Sequence, residues 1–285
     1  MSIASTYQDD NPGSRQVTDF NPSLPYNSLP DLPPPGEQLE TTAILKRCID
    51  ARVAVAELKQ AAELIPNSAV LVNALPLLEA KASSEIENIV TTTDKLFEYA
   101  DIAEDRADAA TKEALRYRTA LYEGTKMVQQ GMLTRDMAIQ ICSIIKGMDL
   151  DIRAESGTTL KSRMTGEVIY TPPVGQKLLL EKLDNWTRFM HEETGIDPLV
   201  RMAVQHYQFE AIHPFVDGNG RTGRILNVLF LVQHGLLDSP ILYLSRFIIQ
   251  NKAAYYRLIK KVTHEQDWGA WIMFVLDGVE ETCTW

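Results

Sequence analysis

The chain has 285 residues, 45% of them hydrophobic, enough for one large core or a core with a small accessory region. Its 28 basic and 38 acidic residues give a net charge of −10. Nucleic-acid duplexes are bound through a basic surplus, so DNA binding by this chain is not expected.

No basic start leads into an apolar run at the N-terminus, so no secretory signal is read there. The longest apolar run, Ile225 to Val232, contains Asn227 and is too short to cross a bilayer. The expectation is a soluble, cytoplasmic protein with no membrane partner. Cys48, Cys142 and Cys283 are far apart, form no CxxC pair and sit in apolar helical patterns. They read as reduced thiols and give no zinc site.

Residues 1–36 carry Pro12, Pro22, Pro25, Pro30, Pro33, Pro34 and Pro35 and form an extended or draped N-terminal arm. The pieces Leu24-Pro25-Tyr26 and Leu29-Pro30 are candidates to pack on a neighbour, and the arm is a candidate contact for a homodimer. From Glu37 the apolar spacing becomes helical, through Ile44, Leu45, Cys48, Ala51, Val55 and Leu58. A second helix is predicted from about Ser68 to Lys81, kinked or broken at Pro76, then a short one around Ser83 to Glu87. Asp94 is a candidate cap for the next. A long helix is predicted over 107–130, and another from a Thr134 cap to Lys146. Residues 37–105 read as an N-terminal helical region and 106–285 as the core.

Residues 157–173 break the helical habit. Gly157 to Leu160 and Val168 to Thr171, around a polar turn at 162–166, predict a β-hairpin. A lone hairpin is marginal, so it must lie on the helices with its edges partly unpaired. Helices resume at Gly175. Asp197 followed by Pro198 marks a helix start that runs to about Ile212. Others are predicted from the loop after it to Gly235, over Leu244 to Thr263, and over Asp267 to Thr282. The fold class is all-α with one hairpin.

The chemistry concentrates in 213–224, His-Pro-Phe-Val-Asp-Gly-Asn-Gly-Arg-Thr-Gly-Arg. Pro214 stops the preceding helix at His213. Gly218, Asn219 and Gly220 make a tight turn whose N–H groups can converge on an anion, and the positive end of the next helix adds to it. Arg221 and Arg224, three apart, can share one side of its first turn. Together these form a phosphate cradle. Asp217 at its mouth would repel a polyphosphate unless Mg²⁺ bridges them. His213 is suited to take a proton from a hydroxyl. No GxxxxGK[ST] loop and no strand-borne GxGxxG is present.

The segment resembles the HxFx(D/E)GNGRxxR signature of the Fic family, matching every position. That resemblance implies a helical fold that transfers AMP from ATP to protein hydroxyls. His213 would be the general base and Asp217 the Mg²⁺ ligand. Gly218, Asn219 and Gly220 would form the anion hole, with Thr222 and Gly223 in the same nucleotide-binding turn. Arg221 would assist the phosphates and Arg224 hold the γ-phosphate. The hairpin resembles the family's flap, along which the protein substrate would bind by strand addition. Tyr256 is a candidate adenine contact by the same resemblance, with ordinary packing of the Tyr255–Tyr256 pair as the alternative.

Ser83-Ser84-Glu85-Ile86-Glu87-Asn88 resembles the family's inhibitory motif (S/T)xxxE(G/N). Ser83 and Glu87 share a helical face, and Asn88 suits a left-handed helix end. The resemblance implies a Glu87–Arg224 ion pair that displaces the γ-phosphate. The expected function is a self-inhibited protein adenylyltransferase acting on Tyr, Thr or Ser hydroxyls, its own included. Alternatives are a hydrolase removing AMP with Glu87 orienting water, transfer of another phosphate-bearing group, and a nucleotide-binding module without turnover. Many relatives carry a C-terminal DNA-binding-like domain; the sequence leaves open whether one was removed after Trp285.

Overall fold

The computed structural model describes residues 20–64, 68–100, 106–161, 165–192 and 195–285, without the side chains of 68–72. The arm before Phe20 and part of the expected hairpin turn lie outside the described residues.

Eleven α-helices and one two-stranded sheet make up the regular structure of those residues, apart from a 3-10 turn at Gly36–Gln38. The sequence dictates several boundaries through caps. The Thr92 hydroxyl opens α3 (Thr93–Tyr99), while Asp94 sits inside its first turn rather than capping it. Asp108 opens α4 (Ala109–Gln130) and Thr134 opens α5 (Arg135–Lys146). Gly147 closes α5 in the left-handed conformation that lacks a Cβ penalty. Gly175 precedes α6 (Gln176–His191). Asp197 accepts from Leu199 N–H and Pro198 takes the first position of α7 (Pro198–Ile212).

Three expectations change. The second and third helices are one helix, α2 (Ser68–Ile86), running through Pro76. Its packing on α4 and on α9 (Leu244–Gln250) outweighs the one backbone bond a proline removes. The helix expected over 244–263 is two. Asn251 ends α9 with its N–H and side-chain amide on the Phe247 carbonyl and starts α10 (Lys252–Glu265) with its own carbonyl. In the hairpin, β1 is Leu160–Lys161 and β2 is Val168–Tyr170, antiparallel with Leu160 opposite Tyr170. Gly157, at φ 112°, is turned out of the ladder.

α7 is buried on nearly every side, as a central helix must be. Helices α6, α8 (Asn219–Gln233) and α11 (Trp268–Cys283) pack on it, and α1 (Thr42–Leu64) covers α11. Two of its buried amides bind across to neighbouring elements. Gln205 donates to Asn227 at 2.6 Å, and Gln208 donates to the Pro30 carbonyl at 2.8 Å. The described part of the arm lies on the same chain's core, burying Tyr26, Leu29 and Leu32. The Asn185 side chain holds both backbone groups of Leu32, and Tyr26 N–H donates to the Thr171 carbonyl just beyond β2. Cys48 and Cys142 are buried, Cys283 is half-buried, and all three are free thiols. No described helix is long and apolar enough to cross a membrane.

Candidate active site

α7 delivers His213 and α8 delivers the glycine turn. His213 closes α7 in the left-handed region, φ 50° and ψ 59°, with its N–H on the Phe209 carbonyl at 3.0 Å. A non-glycine residue is held there only by its surroundings. Arg153 supplies them: Nε donates to the His213 carbonyl at 2.8 Å, and Nη2 to the carbonyls of Ile212 and Pro173 at 3.3 and 2.6 Å. One buried guanidinium thus ties the end of α7 to the end of the hairpin.

The His213 Nδ1 lies 3.4 Å from the Glu210 carbonyl, which can only accept. Nδ1 therefore carries the proton and Nε2 keeps its lone pair. Burial, with Arg153 adding to it, pushes the His213 pKa down to about 4, against the Glu210 carbonyl, Glu87 and Asp217. The ring is neutral at physiological pH and fit to accept a proton.

Gly218 begins α8 at φ 93°, and a Cβ there would stand 3.0 Å from the Cys142 sulfur. Asn219 clamps the loop from inside, accepting from Phe215 N–H and donating to the Phe215 carbonyl, both at 2.8 Å. Its side chain is therefore occupied by the loop, and only its backbone N–H belongs to the helix start. Asn219, Gly220 and Arg221 fall in the first turn, whose N–H groups have no carbonyl one turn back. Thr222 is buried. Gly223 lets α8 meet α7, since a Cβ would sit 3.0 Å from Glu210 Oε1 and 3.2 Å from the Phe209 ring. These two residues shape the turn from within.

The two arginines serve different partners. Arg221, 1% exposed, pairs with Glu113 on α4 and lies 3.6 Å from Asp217. Lys146 joins them, 3.0 Å from Glu113 and 2.5 Å from Asp217. Burial works against the Asp217 carboxylate, but Lys146, Arg221 and the Gly218 N–H hold its pKa below the usual range. Asp217 is exposed, ionised and placed at the loop's mouth. That fits one carboxylate on a hydrated Mg²⁺, which needs no protein cage.

Arg224, 2% exposed, donates from Nε to Ser83 Oγ at 2.8 Å and from Nη2 to the Ser83 carbonyl and Glu87 Oε1, each at 2.9 Å. Asn88 ends this turn at φ 62°. A Cβ on Gly220 would run into Glu87 Oε1, so the carboxylate lies directly over the cradle's central glycine. Burial opposes its charge, yet Arg224, with Arg221 and His213, holds the Glu87 pKa below its ordinary value.

A cleft of about 340 Å³ opens beside His213, lined by Leu160, Ile169 and Tyr170 of the hairpin and Tyr256 and Ile259 of α10. The Tyr170 hydroxyl donates to the Ala211 carbonyl at 2.7 Å, fastening the hairpin to α7. The tyrosine pair divides: Tyr255 is buried with its hydroxyl 2.8 Å from His206 Nε2, while Tyr256 is 42% exposed at the cleft.

Sequence reasoning missed Glu113, Lys146, Arg153 and Glu210. The first three reach the loop from distant positions and leave no local signal. Glu210 did leave one, an acid in an apolar helix one turn before His213. Burial pushes it up to about 7 against Arg224, and its Oε1 has no hydrogen-bond partner among the described residues.

Comparison with known proteins bears on the family and the fold. The "Protein adenylyltransferase Fic" of Drosophila melanogaster is 27% identical over 192 residues, 61% of this chain. The chain spans 37% of the length of that relative. Among solved structures, a Fic family protein from Desulfovibrio desulfuricans superposes with a TM-score of 0.72 at 20% identity, over 86% of this chain and 74% of that one. A Fic domain containing signaling protein from Bacteroides thetaiotaomicron gives 0.67 at 17% identity, over 82% and 94%. At these identities the structural likeness is one of fold. The model of the Fic/DOC family N-terminal region matches residues 45–126, and that of the Fic/DOC family itself matches 133–231. Two adjoining matches that run from α1 to α8, on the shared fold, make the chain a member of the Fic/DOC family.

Proposed function

We propose that the chain is a protein adenylyltransferase that moves AMP from ATP to a Tyr, Thr or Ser hydroxyl, on a target protein or on itself, and that Glu87 holds it inactive. The observation that carries this is the double engagement of one loop: a neutral His213 stands at one end, and Arg224 is held by Glu87 at the other.

The phosphates would lie on the first turn of α8, with Arg224 on the γ-phosphate and Arg221 behind the turn. His213 Nε2 takes the proton of the incoming hydroxyl. The hydroxyl oxygen bonds to the α-phosphorus, the bond from that phosphorus to the bridging oxygen breaks, and pyrophosphate leaves with the electron pair. Positioning and charge neutralisation supply most of such a rate. Asp217 would hold Mg²⁺, which would neutralise charge on the phosphates. The base would occupy the cleft by Tyr256, and the target segment would pair along the hairpin edge. While Glu87 covers Gly220, the γ-phosphate finds its arginine taken and a negative charge in its place.

Incubation with α-labelled ATP and Mg²⁺ tests this on the wild type, Glu87→Gly and His213→Ala. Label that increases in Glu87→Gly and disappears with His213→Ala supports transfer. Nucleotide retained without label supports a binding module. Loss of label from a pre-modified protein that requires Glu87 supports the hydrolase.

A further inference from the structure

Ser83 and Glu87 are not the only polar residues on their stripe of α2. Glu79 lies one turn before Ser83 on the same helical face, and it is 1% exposed. A carboxylate so deeply buried persists only where donors surround it. Glu79 Oε2 accepts from the Ser245 backbone N–H at 2.9 Å, and Oε1 accepts from the Tyr117 hydroxyl at 3.0 Å and from the Ser245 hydroxyl. Tyr117 belongs to α4 and Ser245 to α9, so three helices meet on one carboxylate. Apolar contact on this part of α2 is already provided by Leu77, Ala80, Ala82 and Ile86. Burial alone would be served as well by another apolar side chain. What a carboxylate adds is register: turning or sliding α2 would separate it from all three donors at once.

We propose that Glu79 is the positioning residue of the brake, fixing the rotation and height of α2 so that Ser83 and Glu87 meet Arg224. The inference rests on the proposed autoinhibition by Glu87. Glu79 would act by placing its helix, since its own hydrogen bonds go to Tyr117 and Ser245 and not to the phosphate loop.

The test is self-labelling of the full chain with α-labelled ATP, with thermal melting to confirm folding. Glu79→Ala is expected to raise labelling at least about threefold, and Tyr117→Phe and Ser245→Ala to raise it less in the same direction. The decisive measurement is Glu79→Ala combined with Glu87→Gly. If Glu79 works through the brake, the double variant labels no more strongly than Glu87→Gly and no more weakly. A merely structural role would lower labelling in that background. The inference is overturned if folded Glu79→Ala stays as quiet as wild type while Glu87→Gly labels, or if the double variant departs from Glu87→Gly in either direction. Should Glu79→Ala not fold, Tyr117→Phe and Ser245→Ala decide, and wild-type labelling in both overturns it. If Glu87→Gly itself is silent, the failure lies with the autoinhibition.

Discussion

The Nη2 of Arg224 donates to Glu87 Oε1 at 2.9 Å, joining the second turn of α8 to the residue that follows α2. Ser83 takes two further donors of the same guanidinium. The pair depends on an ionised Glu87. Because its folded pKa is depressed, the pair contributes stability above the ordinary carboxylate value. That contribution is lost as pH falls through the lowered one.

Releasing Arg224 should change how the protein meets ATP before any chemistry occurs. Glu87→Gly leaves the guanidinium with Ser83 alone and should cost about 2 kcal/mol in the absence of nucleotide. With saturating ATP and Mg²⁺ most of that deficit should be recovered, because the γ-phosphate replaces Glu87. Affinity about tenfold tighter than wild type adds about 1.4 kcal/mol to the ligand-induced stabilisation. Melting curves with and without ATP measure both. An equal ATP-induced shift in the two proteins would mean that Glu87 does not compete with the nucleotide.

The pH dependence should follow His213. In the active Glu87→Gly variant, the acid limb of kcat/KM, which reports the free enzyme, should fall far below the ordinary histidine value of 6.5, near 4. Glu87 is one of the groups that raise the His213 pKa, so its removal moves the limb no higher. A lowered histidine pKa also means that the unfolded chain binds this proton first. His213 therefore contributes a loss of stability that begins as pH drops below 6.5 and grows until about 4. Replacing His213 by Ala should abolish labelling and flatten that part of the stability profile.

How far the site was legible in the sequence depended on chain distance. Inside 213–224, residue types and spacing determine local geometry: Pro214 ends a helix, Gly218 allows a positive φ, and the next helix starts at Asn219. Capping chemistry likewise carried the starts of α5 and α7. Spacing within α8 left the arginines' partners undetermined. Arg221 turns to Glu113, 108 positions away, and Arg224 to Ser83, 141 positions away. Tertiary packing set those choices, as it did the continuity of α2 through Pro76 and the break at Asn251. The Glu87 contact was anticipated only through family resemblance, because a Ser and a Glu four apart are common on solvated helices.

Metal dependence should rest on Asp217. Asp217→Asn keeps the acceptor for Gly218 N–H, now 2.7 Å from Oδ1, and removes the charge. The side chain is exposed, so melting should barely change. The Mg²⁺ concentration for half-maximal labelling in the Glu87→Gly background should rise about tenfold or more, since one carboxylate is the protein's whole contribution to such a site. An unchanged Mg²⁺ titration would remove Asp217 from that role.

The cleft under the hairpin can be tested through its two neighbouring tyrosines, which the fold uses differently. Tyr256 borders the cleft and is partly exposed. Tyr256→Ala should therefore leave melting unchanged while raising the KM for ATP several-fold, with kcat within about twofold, the pattern of lost uniform binding. Tyr255 is buried against His206. Tyr255→Phe should cost about 1 kcal/mol through the lost hydrogen bond without a comparable effect on KM. Steady-state labelling rates across ATP concentrations, with melting curves, separate the two effects. If Tyr256→Ala leaves KM where it was, the base does not rest against Tyr256. The resemblance that singled this residue out would then hold for the phosphate loop and fail for the cleft beside it.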